Sequence, residues 1–226
     1  MNEIRNLIKN RNIFLIDDCS QAHGAIYSSN NKNSKIGSIS DISCFSLYPG
    51  KNLGAYGDAG IITTNSKKYF KIIKNLRNLG SDKKFIHTRV GVNSRLDTIQ
   101  AIILNLKLKD LNKNNSKRKK ISKIYSKKIK NKYVTKLNYS KYAVFHQYVI
   151  MTSKRKKLTK LFDKNNIQYG FHYPKSINQL DIFKSQFKNE KYINSEKLAK
   201  TGISLPIDTN LKKSELSKII KLVNSL

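Results

Sequence analysis

Lys51 sits in a setting unlike that of most of the chain's basic residues. It lies in the loop Ser46-Leu47-Tyr48-Pro49-Gly50-Lys51-Asn52-Leu53-Gly54-Ala55-Tyr56-Gly57-Asp58-Ala59-Gly60, just after a short apolar run (Ile42, Cys44, Phe45, Leu47) that reads as a strand. Glycines at 50, 54, 57 and 60 permit backbone angles closed to other residues and let the chain run close to a ligand or another strand. A lysine held there could bind a phosphate as a point charge or, partly desolvated, serve as a nucleophile. The phosphate-loop motif requires a glycine five residues before the Gly-Lys pair and a Ser or Thr after it. Phe45 and Asn52 occupy those positions, so that motif is excluded. A second candidate is the acid pair Asp17-Asp18, which closes the apolar run Ile13-Phe14-Leu15-Ile16. Ligands of open α/β sheets bind beyond the carboxyl ends of the strands, although one of two such carboxylates equally suits a helix N-cap or turn. His23 and Asp58 read as structural, hydrogen-bonding within loops beside the glycines.

The elements that must hold these residues follow from periodicity. Residues 3–10 fit a short helix with Ile4, Leu7 and Ile8 on one face. The run at 13–16 has the character of a strand covered on both faces of a parallel sheet. A polar loop is expected through about 38, then strands near 42–47 and 60–64. Tyr69, Phe70, Ile72, Ile73 and Leu76 give a helix near 67–79 the spacing of ordinary core packing. A helix is predicted over about 96–110, with Ile99, Ile102, Ile103, Leu106 and Leu108 apolar. A second, over 112–132, places Ile121, Ile124, Tyr125 and Ile129 on one side and lysines on its solvated face. Strands at 143–151, 167–171 and 203–207 and helices at 154–165, 191–200 and 212–225 complete an α+β C-terminal part. Two domains are expected, 1–115 and 116–226. The first offers only three good parallel-type strands, whereas sheets of this class usually have about five or more.

With 226 residues the chain can bury a real core. Its formal net charge of +31 is spread over nearly the whole length and comes with no nucleic-acid-binding signature. That favours compositional drift toward Lys and Asn on solvent-facing positions over an electrostatic footprint for nucleic acid. Cys19 and Cys44 make no disulfide framework, and the four histidines are scattered, so no metal site is legible. The N-terminus lacks a secretory apolar region and no run is long enough to span a membrane, which reads as a cytoplasmic protein.

Three motifs in order, Leu15-Ile16-Asp17-Asp18-Cys19-Ser20-Gln21-Ala22-His23-Gly24-Ala25, then the Lys51 loop, then Asn93-Ser94-Arg95-Leu96-Asp97, closely resemble the DegT/DnrJ/EryC1/StrS family. Members are pyridoxal 5'-phosphate (PLP) aminotransferases acting mainly on keto-sugar nucleotides. His146-Gln147-Tyr148, His172-Tyr173-Pro174 and Ser204-Leu205-Pro206 extend the resemblance into the C-terminal part, so it covers essentially the whole chain. It implies an α/β fold of the type I, aspartate aminotransferase-like class, with an incomplete large-domain sheet and a smaller α+β C-terminal domain. By the resemblance Lys51 is the Schiff-base lysine and Asp18 pairs with the pyridine nitrogen, keeping the ring an electron sink. Gln21 touches the ring or its phenolic oxygen, and Ser46 gives a hydroxyl to the phosphate. Asn93 reaches the phosphate of a partner subunit, implying a homodimer, while His172 and Tyr173 belong to a substrate-side loop.

Two departures stand out. Val92 replaces the aromatic residue that family members usually carry before Asn-Ser-Arg. The family's N-terminal portion, a helix whose Gly-Thr/Ser start cradles the phosphate and an aromatic that stacks on the ring, has no counterpart, and Met1 aligns with an interior position. The expected reaction is amino transfer from an amino-acid donor, glutamate foremost, to a nucleotide-linked keto-sugar in amino-sugar or surface-polysaccharide synthesis. One alternative is a truncated chain, or half of a split enzyme needing a separately encoded N-terminal half, inactive alone. Another is a basic nucleic-acid-binding or regulatory protein on a borrowed fold.

Overall fold

The structure, a computed structural model, describes residues 1–29, 32–188 and 190–226. It divides into two compact units, Met1–Ser116 with Lys141–Val144, and Lys117–Ser140 with Phe145–Leu226.

In the first unit, helix α1 (Asn2–Ile8) leads into strand β1 (Ile16–Asp18) and a hairpin of β2 (Ile26–Ser29) and β3 (Lys32–Lys35). Strands β4 (Ile42–Ser46) and β5 (Gly60–Thr63) follow, then α2 (Lys67–Leu76) and the short hairpin β6 (Ser81–Lys83) and β7 (Ile86–His87). The central sheet has the order β1-β4-β5. β1 runs parallel to β4, with Asp18 opposite Cys44, whereas β5 is antiparallel to β4. The expected third parallel strand is therefore an antiparallel one, because the long loop after β4 folds straight back along it. The expected loop at 25–38 holds the β2–β3 hairpin. Its sequence alternates no apolar residues, so period-two patterning gave no signal, and its turn lies outside the described residues.

The apolar run at 13–16 is not a doubly covered strand. Pairing begins only at Ile16, and Phe14 and Ile16 are 61% and 64% exposed. β1 is an edge strand whose outer side no described element pairs with. The faces of α1 and α2 are likewise only partly covered, and in α2 the buried residue is Asn75. The core of this unit is small: Leu47, Leu53 and Ala55 of the Lys51 loop pack with Leu104 and Leu111.

Those two leucines belong to α3 (Thr98–Lys128). The two helices expected over 96–110 and 112–132 are one helix, since no Gly or Pro interrupts 98–128. The chain passes from the first unit to the second within it. Its N-terminal half departs from expectation: Ile99, Ile102, Leu106 and Leu108 are exposed, and the inward stripe is Leu104 and Leu111.

The second unit has the antiparallel sheet β10-β9-β8, built from β8 (Val134–Lys136), β9 (Tyr148–Thr152) and β10 (Gly202–Leu205). Helices α4 (Arg155–Lys164), α5 (Ile193–Thr201) and α6 (Lys213–Asn224) accompany it. The expected strand at 167–171 is reduced to one bridge, Gly170 with Ser204. Ile121, Tyr125 and Ile129 of α3 enter a dense core with Tyr148, Ile150, Leu158, Phe162, Ile203 and Val223. Tyr125 is buried but donates its hydroxyl to the Pro206 carbonyl at 2.7 Å, so its polar end is satisfied. Phe162 is fully buried on α4. Phe162→Ala is expected to destabilise this unit by about 3–5 kcal/mol, read from the denaturant midpoint, because a ring-sized cavity would remain. Among the described residues no helix is long and apolar enough to cross a membrane, and no group of acids, histidines and cysteines is arranged to hold a metal ion.

Candidate active site

Asp18 and Ser46 stand at the carboxyl ends of the adjacent parallel strands β1 and β4, and the loops that leave those ends carry Gln21 and Lys51. The two loops are tightly built. After β1, the Cys19 N–H donates to the Cys44 carbonyl at 2.8 Å, and turns close at Ala22 and Ala25. After β4, buried Leu47 grips the returning chain from both sides: its N–H donates to the Ala59 carbonyl and its carbonyl accepts from the Ala55 N–H, each at 2.8 Å. Within the loop so closed, the Lys51 N–H bonds back to the Tyr48 carbonyl at 2.9 Å. A Cβ on Gly54 would come within 2.3 Å of the Pro49 carbonyl oxygen, which is why that position admits only glycine.

Helix α3 fastens the Lys51 loop at three heights. The Gln100 Oε1 accepts from the Tyr56 N–H at 2.8 Å. The Lys107 ammonium donates to the Gly54 carbonyl at 2.6 Å and lies 4.4 Å from the centroid of the Tyr56 ring. The Asn115 Oδ1 accepts from Asn52 Nδ2 at 2.9 Å. Positions 100, 104, 107, 111 and 115 follow one helical face, so the buried Leu104 and Leu111 alternate with the three polar anchors.

The site's electrostatics favour a charged acid beside an amine. The Ser20 hydroxyl (2.5 Å) and N–H (2.9 Å) both donate to Asp18 Oδ1. These bonds, with a contribution from the positive charge of Lys51, hold the Asp18 carboxyl below the usual carboxylate range. The folded value lies below the unfolded one. Its small contribution to stability is thus present above the unfolded value and lost as pH falls through the folded one. Ser20→Ala removes the largest of these influences, so the Asp18 carboxyl carbon is expected to titrate at higher pH by NMR. His23, 3% exposed, packs 5.4 Å from the Phe45 ring, and neither ring nitrogen has a hydrogen-bond partner among the described residues. Burial lowers its imidazole pKa from the usual range, opposed by the nearby Ser46 backbone and reinforced by the charge of Lys51. Burial and Asp17 push the Cys19 thiol up to about 11, so it is not a nucleophile at neutral pH.

The structure thus brings Asp18, Gln21, Ser46 and Lys51 onto two neighbouring loops. It does not join Asn93 to them through any contact among the described residues. Asn93 bridges Asn78 and accepts from Arg95 Nε at 3.0 Å. In the second unit, His172 Nδ1 lies 2.9 Å from the Ser204 hydroxyl on β10. His172 and Tyr173 line a cavity of about 440 Å³ with Ser176, Phe187, Tyr192 and Leu198. A cavity of about 740 Å³ in the first unit, floored by Phe45, Ile61, Ile62 and Phe70, includes neither Lys51 nor Asp18. Ser20, Gln100, Lys107 and Asn115 escaped the sequence reading. The stripe at 100, 107 and 115 becomes apparent only once Leu104 and Leu111 are known to face inward.

The chemistry of this donor set fits PLP. An ionised carboxylate suits a protonated ring nitrogen and an amine suits an aldehyde. The Ser46 hydroxyl, which accepts a long 3.4 Å bond from the Tyr48 N–H, keeps its proton for an anion. An acid and a hydroxyl at the carboxyl ends of adjacent parallel strands, with an amine in the following loop, stand where α/β sheets bind their ligands.

The model of the DegT/DnrJ/EryC1/StrS aminotransferase family matches residues 1–224, and the chain belongs to that family. It is 37% identical over 226 residues to the dTDP-3-amino-3,6-dideoxy-alpha-D-galactopyranose transaminase of Aneurinibacillus thermoaerophilus, with 99% of this chain and 61% of that protein covered. To the dTDP-3-amino-3,4,6-trideoxy-alpha-D-glucose transaminase of Streptomyces venezuelae it is 30% identical over 227 residues, covering 99% of this chain and 59% of that protein. The crystal structure of S. venezuelae DesV in complex with a ketimine intermediate superposes with a TM-score of 0.88 at 28% identity, covering 100% of this chain and 61% of that one. The chain therefore spans about three-fifths of the length of these relatives, and its fold is that of the family.

Proposed function

We propose that this chain acts in the PLP-dependent transfer of an amino group from an amino acid, glutamate foremost, to a nucleotide-linked keto-sugar. The observation that carries the reading is geometric: Asp18 and Ser46 end adjacent parallel strands and Lys51 lies in the loop that leaves the second, in a chain matching this family over residues 1–224. Both named relatives are transaminases of dTDP-linked 3-amino sugars, which supports a 3-keto hexose as acceptor.

Bound PLP supplies an electron sink that lets an amino group leave one carbon and join another. Lys51 would hold it covalently through Nζ and, once displaced, would move the proton released from the donor's α-carbon onto the cofactor. In the second half-reaction it would move a proton from the cofactor to the sugar carbon that gains the amine. Asp18 would keep the ring nitrogen protonated, with its own charge secured by Ser20. Gln21 would face the ring's phenolic oxygen, and the Ser46 hydroxyl would donate to the phosphate. Asn93 would reach the phosphate in a second copy of the chain, making the enzyme a homodimer. His172 and Tyr173 would present their cavity to the substrate.

Borohydride reduction with PLP, followed by peptide mapping, tests the assignment. The pyridoxyl mark is expected on Lys51, and a mark confined to other lysines would count decisively against it. A second reading, that this polypeptide alone is inactive, draws on the relatives' greater length and on the uncovered apolar residues of β1, β5 and α3. Those residues offer a surface on which further polypeptide would pack. Visible absorbance with PLP, absent for the chain alone and restored by a polypeptide carrying a Gly-Thr/Ser phosphate helix, would favour it. Absorbance from the chain alone would end it.

A further inference from the structure

We propose that Asn115 is a positioning residue that sets the spacing between the acid and the amine of this site by bridging their two loops with one carboxamide. The inference rests on the reading of Lys51 and Asp18 given above. Asn115 is 6% exposed on the inner face of α3. Its Nδ2 donates to the His23 carbonyl at 2.8 Å, five residues beyond Asp18 and two beyond Gln21. Its Oδ1 accepts from Asn52 Nδ2 at 2.9 Å, and Asn52 is the residue next to Lys51. The same Asn52 Nδ2 also donates to the Val144 carbonyl at 3.0 Å.

The polarity of this chain of bonds is fixed from both ends. The His23 and Val144 carbonyls can only accept, so each carboxamide must turn its NH₂ toward them. Asn115 is then left with its oxygen facing Asn52, the one arrangement that satisfies both of its ends. No isosteric residue can repeat it: aspartate lacks the donor and leucine lacks both groups. The site leaves no slack either. Gly24, at φ +77°, passes so close that a Cβ there would lie 2.9 Å from Asn115 Nδ2. A displacement of Asn115 therefore moves the Asp18 loop and the Lys51 loop together, whereas Gln100 and Lys107 hold only the latter. A positioning error of about an ångström at reacting groups is costly to rate, which gives such a bridge a functional purpose.

The bridge makes a pattern that can be read bond by bond without cofactor, by hydrogen exchange and mass spectrometry on the full chain. Asn115→Ala is expected to raise exchange roughly tenfold at both the Cys19–Ala25 and the Lys51–Ala55 backbone, leaving Ile150 and Ile203 unchanged. Asn115→Asp keeps the acceptor for Asn52 but sets an oxygen against the His23 carbonyl, so only the Cys19–Ala25 loop should loosen. Asn52→Ala cuts the other bond together with the one to the Val144 carbonyl, so the Lys51 loop and the backbone around Val144 should loosen while Cys19–Ala25 stays protected. Should Asn115→Ala fold poorly, these two variants, each sparing one of the two loops, carry the test. With PLP and borohydride, Asn115→Ala is expected to lower the share of label on Lys51, relative to exposed Lys213, by several-fold. Loosening of one loop alone in Asn115→Ala, or a uniform rise across the chain, would overturn the bridge. So would a failure of Asn115→Asp and Asn52→Ala to separate the Cys19–Ala25 loop from the Lys51 loop. Loosened loops with an unchanged Lys51 share would leave Asn115 structural and overturn its positioning role. Wild-type label away from Lys51 would instead overturn the functional reading while leaving the bridge in place.

Discussion

Lys51→Arg is expected to abolish the pyridoxyl mark and to lower amino transfer by roughly 10³-fold or more in any preparation that catalyses it. Two functions are lost at once, covalent attachment and proton relay, and general acid–base groups alone are typically worth about 10²–10⁴. Arginine is chosen because it keeps a positive charge at position 51, the least of the influences that lower the Asp18 pKa. Its guanidinium remains protonated at any working pH and cannot attack an aldehyde. Loss of transfer with the fold intact therefore isolates the chemistry of the amine from its electrostatics. Transfer retained within a few-fold would remove Lys51 from the mechanism. The measurement is the rate of appearance of the amino-sugar from glutamate and a nucleotide-linked 3-keto hexose, with circular dichroism as the check on folding.

Asp18→Asn should cost about 10²–10³-fold in the same assay, the range seen when one preorganised electrostatic partner is removed. Asparagine keeps the Oδ1 that accepts from the Ser20 N–H and hydroxyl, so the turn after β1 survives. Only the charge opposite the ring nitrogen is lost. The pH response carries the sign of the same argument. Ser20 depresses the Asp18 titration, so the wild-type carboxylate stays ionised through the neutral range and contributes no acid limb there. A Ser20→Ala enzyme should show its acid limb moved toward neutrality, while Asp18→Asn should lose that limb altogether. Equal pH profiles in all three would separate Asp18 from the cofactor.

Lys51 and Asp18 were legible because their neighbours are unusual: a lysine among glycines, and an acid closing an apolar run. Their local setting marks them as candidates, and the resemblance of the surrounding motifs is what proposes a role for each. Asn115 had no such frame. Its partners lie 92 and 63 residues away in sequence, and an asparagine in a polar helix looks like any solvated position. Helix α3 was divided in two because its apolar pattern changes face near Asp110, where the inward residues pass from Leu104 and Leu111 to Ile121, Tyr125 and Ile129. A change of neighbours is not a change of backbone, and nothing between 98 and 128 breaks a helix. The run at 13–16 failed differently. Hydrophobicity records that a residue prefers to be covered, not what covers it, and in this structure β1 is an edge strand with Phe14 and Ile16 open.

The uncovered isoleucines of β1 and β5 acquire a colloidal meaning beside a formal net charge of +31. Both strands sit at the rims of their sheet, where an unpaired backbone invites another chain. Mutual repulsion among so many lysines opposes such unspecific edge-to-edge contact, although a specific subunit interface can overcome it, and its range shrinks to about 10 Å at 0.1 M salt. Ionic strength is then expected to govern whether the molecule stays dispersed, with surface charge guarding edges that packing leaves open.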